Sequence, residues 1–517
     1  MLSYSWGYKV GDIVDSLAKW CEDYGHDLAR TYVWICCLCI NQRLVLEAYR
    51  AGVKIQFEQF SKEFASRVLG IGSILALMAP WYSPRYLTRA WCIYELATAS
   101  EHNVQIQILM PPQDQQGFAD AIFADDVGKL FKTLSETTVR MAQASVEDDR
   151  VNIMHAIERS EGYEKLDLKT RKTMIAWFSK TIKVVVDPLL TKSGADLEDF
   201  GVERCALVCR CTARMFKNFD CGASYALKLL EHGKKVLKDG NVLDSEEGGE
   251  TCRNLCILYR TAGTTEKALQ EGREAVSILQ RIGKEDTRGD AHVNVGDALR
   301  RVDAKTAIVE YKKGLAIYRK NSYDGPWGYL NLAYAELEDN QLDNALLNFR
   351  KSCAIREAEG TTAHPGFALA MGLIGRTLAT KKEFVQAFEH FNNALTLFSK
   401  LGARGSDDGT EVLRCFGVAQ LDTDDVCGAL ATLEDARMLR TDGNLLYTEN
   451  GALLFETLGD AHAARGNQPK AEEYYELAKK VHTHLGSANA WPRKWHELEE
   501  KMRRIKGAVT THLISVA

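Results

Sequence analysis

No stretch of this chain approaches the roughly 18 apolar residues that a membrane-spanning helix requires. The best candidates, Tyr32–Ile40 and Gly72–Trp81, are strand-length, so no membrane partner is expected. The opening residues, MLSYSWGYKVGD, lack the basic start and apolar run of a secretory signal. No long run of one charge sign occurs. With 65 basic against 70 acidic residues and a formal net charge of −5, nothing marks a nucleic-acid footprint or a polybasic membrane patch. Nucleotide signatures are missing too. Gly70-Ile71-Gly72 lacks the third glycine of a dinucleotide fingerprint and precedes a strand, and the Gly-Lys pairs at Gly128, Gly233 and Gly283 are not followed by Ser or Thr, which excludes a P-loop. The histidines show no metal-ligand spacing, and no metal is expected.

Cysteine, by contrast, is plentiful, with 14 residues. Disulfide staples suit small secreted domains, and this chain is neither small nor visibly secreted, so reduced thiols and a cytoplasmic location are expected. A zinc site at Cys205, Cys209, Cys211 and Cys221 fits no tetrahedral template and has no histidine nearby to complete it; buried helix cysteines are the expectation there. At 517 residues, with 46% hydrophobic and 26% charged residues, the chain reads as ordinary globular protein too long for one core.

Four organisational segments follow. Residues 1–135 alternate short apolar runs (Leu2–Trp6, Tyr32–Cys36, Ser73–Met78, Val104–Met110) with amphipathic stretches (Val10–Tyr24, Phe57–Val68, Leu87–Ser100). That alternation predicts a parallel sheet covered on both faces, with ligands beyond the carboxyl ends of the strands. A first strand beginning at Met1 suggests a slightly truncated domain or an incomplete gene model. Residues 136–200 form a helical connector, with helix starts at Ser145 and Asp167, the second running to about Val186, and breaks at Asp187-Pro188 and Ser193–Asp196. Residues 201–485 are repetitive, and residues 486–517 read as a capping helix with a basic face.

The repeat is marked by Ala268, Ala307, Ala345, Ala387, Ala429 and Ala471, spaced 39, 38, 42, 42 and 42 residues apart. Each has a partner four residues on (Gly272, Tyr311, Phe349, Phe391, Leu433, Tyr475) and a preceding helix about 13 or 14 residues upstream. Helix pairs at a fixed period predict a solenoid in which each alanine marks a close helix crossing.

This pattern resembles the tetratricopeptide repeat. The 42-residue period and the segment Ala354–Gly360 followed by His364-Pro365 are similar to the kinesin-light-chain variety. Six repeats span roughly Thr251–Leu485, with an atypical one near Cys205. The resemblance implies a concave surface that takes a protein or peptide partner, its backbone held by Asn254, Asn294 and Asn331 on the first helices. Their bland alternative is solvation on that face.

One segment of the first 135 residues stands out. In Tyr86–Leu96, YLTRAWCIYEL, Glu95 is the one ionisable carboxylate on a helix that is otherwise apolar or small from Ala90 to Ser100. Such a group must be paired, protonated or facing a cleft. Trp91–Leu96 resembles the Trp-Cys-x-x-Glu-Leu helix of TIR domains, and Trp34–Gln42 is similar to the signature of fungal heterokaryon-incompatibility domains, with Cys36 in place of that motif's Asp. The fold class implied is α/β plus all-α: a flavodoxin-like, TIR-like parallel-sheet domain followed by a helical solenoid. Many TIR domains cleave NAD, and the resemblance implies Glu95 as the catalytic carboxylate, Trp91 as a pocket wall, and Ser5 and Asn41 on the ligand side. A fixed carboxylate can stabilise positive charge on the ribose as nicotinamide leaves. No cofactor is required; NAD would be the substrate. The alternative is that Glu95 is an ion-pair partner of Arg85 or Arg89. Two readings stand: an interaction scaffold whose TIR-like domain self-associates, and an NAD nucleosidase clustered by its repeats.

Overall fold

The computed structural model describes residues 1–5, 7–35, 47, 50–51, 57–123, 139–144, 146–160, 162–197, 200–218, 222–320, 325–443, 445–486 and 491–516. It divides into two units, Met1–His232 and Gly233–Ala517. The described residues are mostly helical and include a small three-stranded parallel sheet.

In the first unit, β1 (Leu2–Ser3), β2 (Ser73–Leu77) and β3 (Gln105–Leu109) lie in the order β1-β2-β3, all parallel, in the register Leu2↔Leu75 and Leu77↔Leu109. Leu2 also bridges Ile35 in parallel. The two-residue alternation of β2 sends Leu75 and Leu77 to one face, where Ile13, Leu17 and Trp20 of α1 (Val10–Asp23) cover them. Ile74 goes to the other face, beneath Phe64 and Val68 of α2 (Phe57–Ile71) and Ala99 of α3 (Ala90–Glu101). Both faces are therefore buried, as a parallel sheet requires. The helices α4 (Pro112–Phe123), α5 (Glu147–Ser160), α6 (Tyr163–Val186) and α7 (Val202–Asn218) complete the unit, which ends within α8 (Ala223–Asp239).

Several elements differ from the sequence expectation. The first strand shortens to Leu2–Ser3, and among the described residues Tyr32–Ile35 contributes only the bridge at Ile35; Cys36 to Arg43, including Asn41 and Gln42, lies outside the described residues. The helix expected from Leu87 starts at Ala90, because the N–H of Ala90 donates to Gln143 O (2.9 Å) and that of Gln143 to Thr88 O (2.8 Å). This bridge holds Arg89 extended and ends the preceding turn, Arg85–Thr88. The helix expected to open at Asp167 opens at Tyr163, immediately after Gly162, whose φ of +78° separates it from α5.

The second unit is a tetratricopeptide-like array of helix pairs: α9 (Glu246–Thr261) with α10 (Thr265–Arg281), α11 (Glu285–Leu299) with α12 (Ala304–Lys320), α13 (Pro326–Glu338) with α14 (Leu342–Ala358), α15 (Pro365–Thr380) with α16 (Phe384–Lys400), α17 (Asp407–Leu421) with α18 (Val426–Asp442), and α19 (Glu449–Ala464) with α20 (Gln468–His484). The final α21 (Pro492–Val516) packs Leu498 and Met502 onto the last pair. All six marker alanines are fully buried. The facing helix is also small at the crossing: a methyl on Gly459 would lie 2.4 Å from the Tyr475 ring, and one on Gly417 2.7 Å from Leu433. First helices of successive repeats pack on one another while second helices meet mainly their neighbours in sequence. The array therefore curves with its first helices inside.

Candidate functional site

Glu95 sits on α3 one turn after Trp91, and its carboxylate accepts a hydrogen bond from Ser3 of β1. The Ser3 hydroxyl lies 2.6 Å from Tyr86 Oη, and both Ser3 and Tyr86 are buried. Some of the Glu95 side chain reaches solvent, but the carboxylate is enclosed. Burial pushes its pKa up to about 7, opposed by the Ser3 hydrogen bond, which favours the charged form. The carboxylate takes the Ser3 hydroxyl, because β1 and the Tyr86 turn bring the Ser3 and Tyr86 hydroxyls together over α3. Ser5 is buried near this strand end, and Trp91 is half-buried with its ring edge-on to Tyr94 at 6.0 Å. Ser3 stood in the sequence only within the short run Leu2–Trp6, and nothing in its spacing from Glu95 marked it as a partner.

The three asparagines of the array are placed differently from one another. Asn254 Nδ2 donates to Glu250 O of its own helix (2.8 Å). Asn294 Nδ2 is enclosed without a hydrogen-bond partner among the described residues. Asn331 is half-buried on α13.

More charge gathers on the inner helices than the asparagine pattern suggested. Tyr334 of α13 has the Arg300 guanidinium 4.0 Å and the Arg376 guanidinium 5.7 Å from its ring centroid, within cation–π range. Arg376 also lies 3.5 Å from Glu338. Farther along, Arg414 grips Glu411 through two hydrogen bonds of 2.8 and 2.6 Å. Burial would raise the Glu411 pKa, but the charges of Arg414 and Arg376 more than offset it and hold it at about 2. Arg301 forms an ion pair with Glu449 and stands 4.6 Å from the Trp491 ring centroid. Tyr334 and Arg376 occupy equivalent places, each 11 residues before its repeat alanine, and that shared offset was the available sequence signal.

All ten described cysteines are free thiols, nine of them buried; Cys221 lies outside the described residues. The one group of potential metal ligands found among the described residues is Cys252, Glu271 and Glu274. The Lys234 ammonium lies within it, 2.7 Å from Glu271 and 2.8 Å from Glu274. Among the described residues, no helix is long and apolar enough to cross a membrane.

No family model matches the chain, and no curated protein matches it. Solved structures with similarity include aspartyl phosphate phosphatase F from Bacillus subtilis (15% identity, 70% of this chain and 93% of that one, TM-score 0.41). Another is the Rap conjugation gene regulator of plasmid pLS20 in complex with the Phr* peptide (16%, 71% and 97%, TM-score 0.38). A third is a signal-transduction ATPase with a tetratricopeptide repeat sensor from Pyrococcus horikoshii (11%, 76% and 54%, TM-score 0.40).

Proposed function

We propose that the repeat array is a protein-interaction module whose inner face holds an extended peptide segment of a partner, and that this binding is coupled to the sheet-containing unit as the signalling element of an intracellular scaffold. The observation that carries the reading is the inner face itself. Tyr334, Arg376, Arg414 and Asn331 line successive first helices as half-buried polar groups, which suits selective recognition along a solenoid groove. The free cysteines fit a reducing, cytoplasmic compartment.

The test is selection of peptides from a displayed library on the full chain, followed by affinity measurement on variants. Asn331→Ala and Tyr334→Ala should each weaken a selected peptide about tenfold, or about 1.4 kcal/mol. Val385→Ser on the outer helix α16, where the side chain is 87% exposed, should leave it unchanged. Failure to select any peptide, or equal losses at Val385, would count against the reading.

A second reading is NAD cleavage by a TIR-like unit with Glu95 as catalytic carboxylate. The parallel order of the Ile35 bridge, β1, β2 and β3, and the hydrogen bond from Ser3 at the end of β1 to Glu95, support it. Asn41 and Trp91 would complete the pocket, and self-association of this unit would be the trigger. Nicotinamide release from NAD by wild type, lost in Glu95→Gln, is the expected result; no release from forcibly oligomerised wild type would exclude it.

A further inference from the structure

The two ends of the repeat array meet. Arg301, just after the first helix of the second repeat, pairs with Glu449 at the start of the sixth, and its guanidinium stands 4.6 Å from the ring centroid of Trp491. A methyl placed on Gly263 would fall 2.3 Å from Leu485 O, so the turn of the first repeat lies against the end of α20. Residues far apart in sequence thus hold the first repeats against the last.

The closing pair is unequal. Arg301 is largely enclosed, its side chain 20% exposed, whereas Glu449 is 43% exposed. Burial and then the adjacent Arg300 push the Arg301 pKa down to about 10. Arg300 has no carboxylate hydrogen bond among the described residues. It rests on Tyr334, feels Asp297 and Glu338 only at a distance, and keeps its Nε enclosed without an acceptor. Asp297 is itself engaged, 2.6 Å from Tyr311 Oη. Two neighbouring guanidiniums on an enclosed wall, one unpaired and one held by a half-exposed carboxylate, favour a further anion, because a guanidinium out of water without an acceptor is costly.

We propose that the Arg300–Arg301 pair is the site for an acidic side chain of the bound peptide, and that Glu449 occupies it in the free array as an internal stand-in. Binding then exchanges one carboxylate for another at Arg301 and releases the contact between the ends. The inference rests on the reading of the array as a peptide-binding module.

The test uses the full chain and a fluorescein-labelled hexaglutamate peptide, with hexaglutamine as control, at physiological salt. Glu449→Gln, at an exposed helix start, should bind hexaglutamate at least tenfold more tightly than wild type does, and hexaglutamine should gain nothing. Adding Arg301→Gln should abolish the gain, and Arg301→Lys, which keeps the charge without the fork, should restore part of it. In hydrogen exchange, Glu449→Gln should speed exchange at residues 262–264, and hexaglutamate should do the same to wild type. Equal affinity of wild type and Glu449→Gln, or a gain that survives Arg301→Gln, overturns the proposal. If selected peptides bind but show no dependence on their acidic residues, the stand-in fails while the interaction module stands. If nothing binds, both fall. A gain that disappears on amidating the peptide's C-terminus assigns the site to a chain terminus and overturns the side-chain assignment.

Discussion

A carboxylate enclosed in the fold, bonded by a serine that itself meets a buried tyrosine, has its ionisation set mainly by exclusion from water. Glu95 is such a group, with a pKa of about 7 in the folded chain against 4.5 when unfolded. Between those values the folded chain binds more protons than the unfolded one, so stability falls as pH rises through that window and levels off above it. Glu95→Gln, which cannot ionise, should remove this dependence. Allowing for the part of the side chain that reaches solvent, the variant should be more stable than wild type by about 2 kcal/mol near pH 8 and by little near pH 5. Urea unfolding of the first unit at the two pH values, followed by hydrogen exchange of α3, measures it. A Gln variant with an unchanged pH dependence would assign the effect to other groups. Glu95 itself was legible in the sequence as the lone carboxylate of an apolar helix. Its partner was not, because Ser3 reaches it only through strand order and the turn at Tyr86.

The joints between helices share one conformation in five of the six helix pairs. Five residues before the repeat alanine, the chain takes a left-handed conformation at Gly263, Asn340, Lys382, Asp424 and Gly466. Glycine meets this at no steric cost, whereas the exposed Lys382, at φ +66°, does not. Lys382→Gly should therefore raise stability by about 0.5 kcal/mol, the relief of strain exceeding the added entropy of the unfolded chain. A thermal melt decides it, and a drop would show that Lys382 makes a compensating contact. The start of the sixth repeat is less forgiving. Thr448 caps α19 by accepting from Gly451 N at 3.2 Å. A methyl on Gly451 would lie 2.2 Å from Leu446 O. That loop cannot give way, because the fully buried Arg440 donates to Leu445 O at 3.0 Å and pairs with Asp407 at 2.5 Å. Gly451→Ala should cost about 1–3 kcal/mol despite alanine's better helix propensity.

The period and its buried alanines could be read from the sequence, because each repeat buries its face only against its neighbours and so carries its packing signal locally. The asparagine pattern was less informative: Asn254 and Asn331 share an offset, yet only Asn254 is bonded to its own helix among the described contacts. Hydrogen bonding depends on the next turn of helix as well as on spacing. The contact of Arg301 with Glu449 and Trp491 had no local signature at all, since it follows from curvature accumulated over the whole array.

At the scale of the molecule, the strongly depressed buried carboxylate Glu411 lies in the second unit, whereas the buried Glu95 of the first is raised, which predicts different responses to acid. In the first unit Glu95 becomes neutral on the way down to pH 5 and has no further penalty to shed below that. In the second, Asp408, raised to about 6 by burial and by Asp407, gives a similar gain over the same range. Glu411 works the other way: its folded value of about 2 lies below the unfolded 4.5. The stability it supplies is present above 4.5 and lost as pH falls toward 2, amounting to about 3 kcal/mol before other losses are counted. Glu434 and Glu310 are lowered as well, each held by basic partners despite burial, and both lie in the second unit. Acidification from pH 4.5 to 2.5 should therefore open the repeat array before the sheet-containing unit, beginning near α17, where Glu411 gives up Arg414. Hydrogen exchange across the whole chain at stepped pH reads both units in one experiment. Replacing the pair together, as Glu411→Gln with Arg414→Met, should flatten the array's acid response, because no depressed carboxylate then remains at that joint. An array that opens at the same pH with the pair removed would place the acid sensitivity at Glu310 and Glu434 instead.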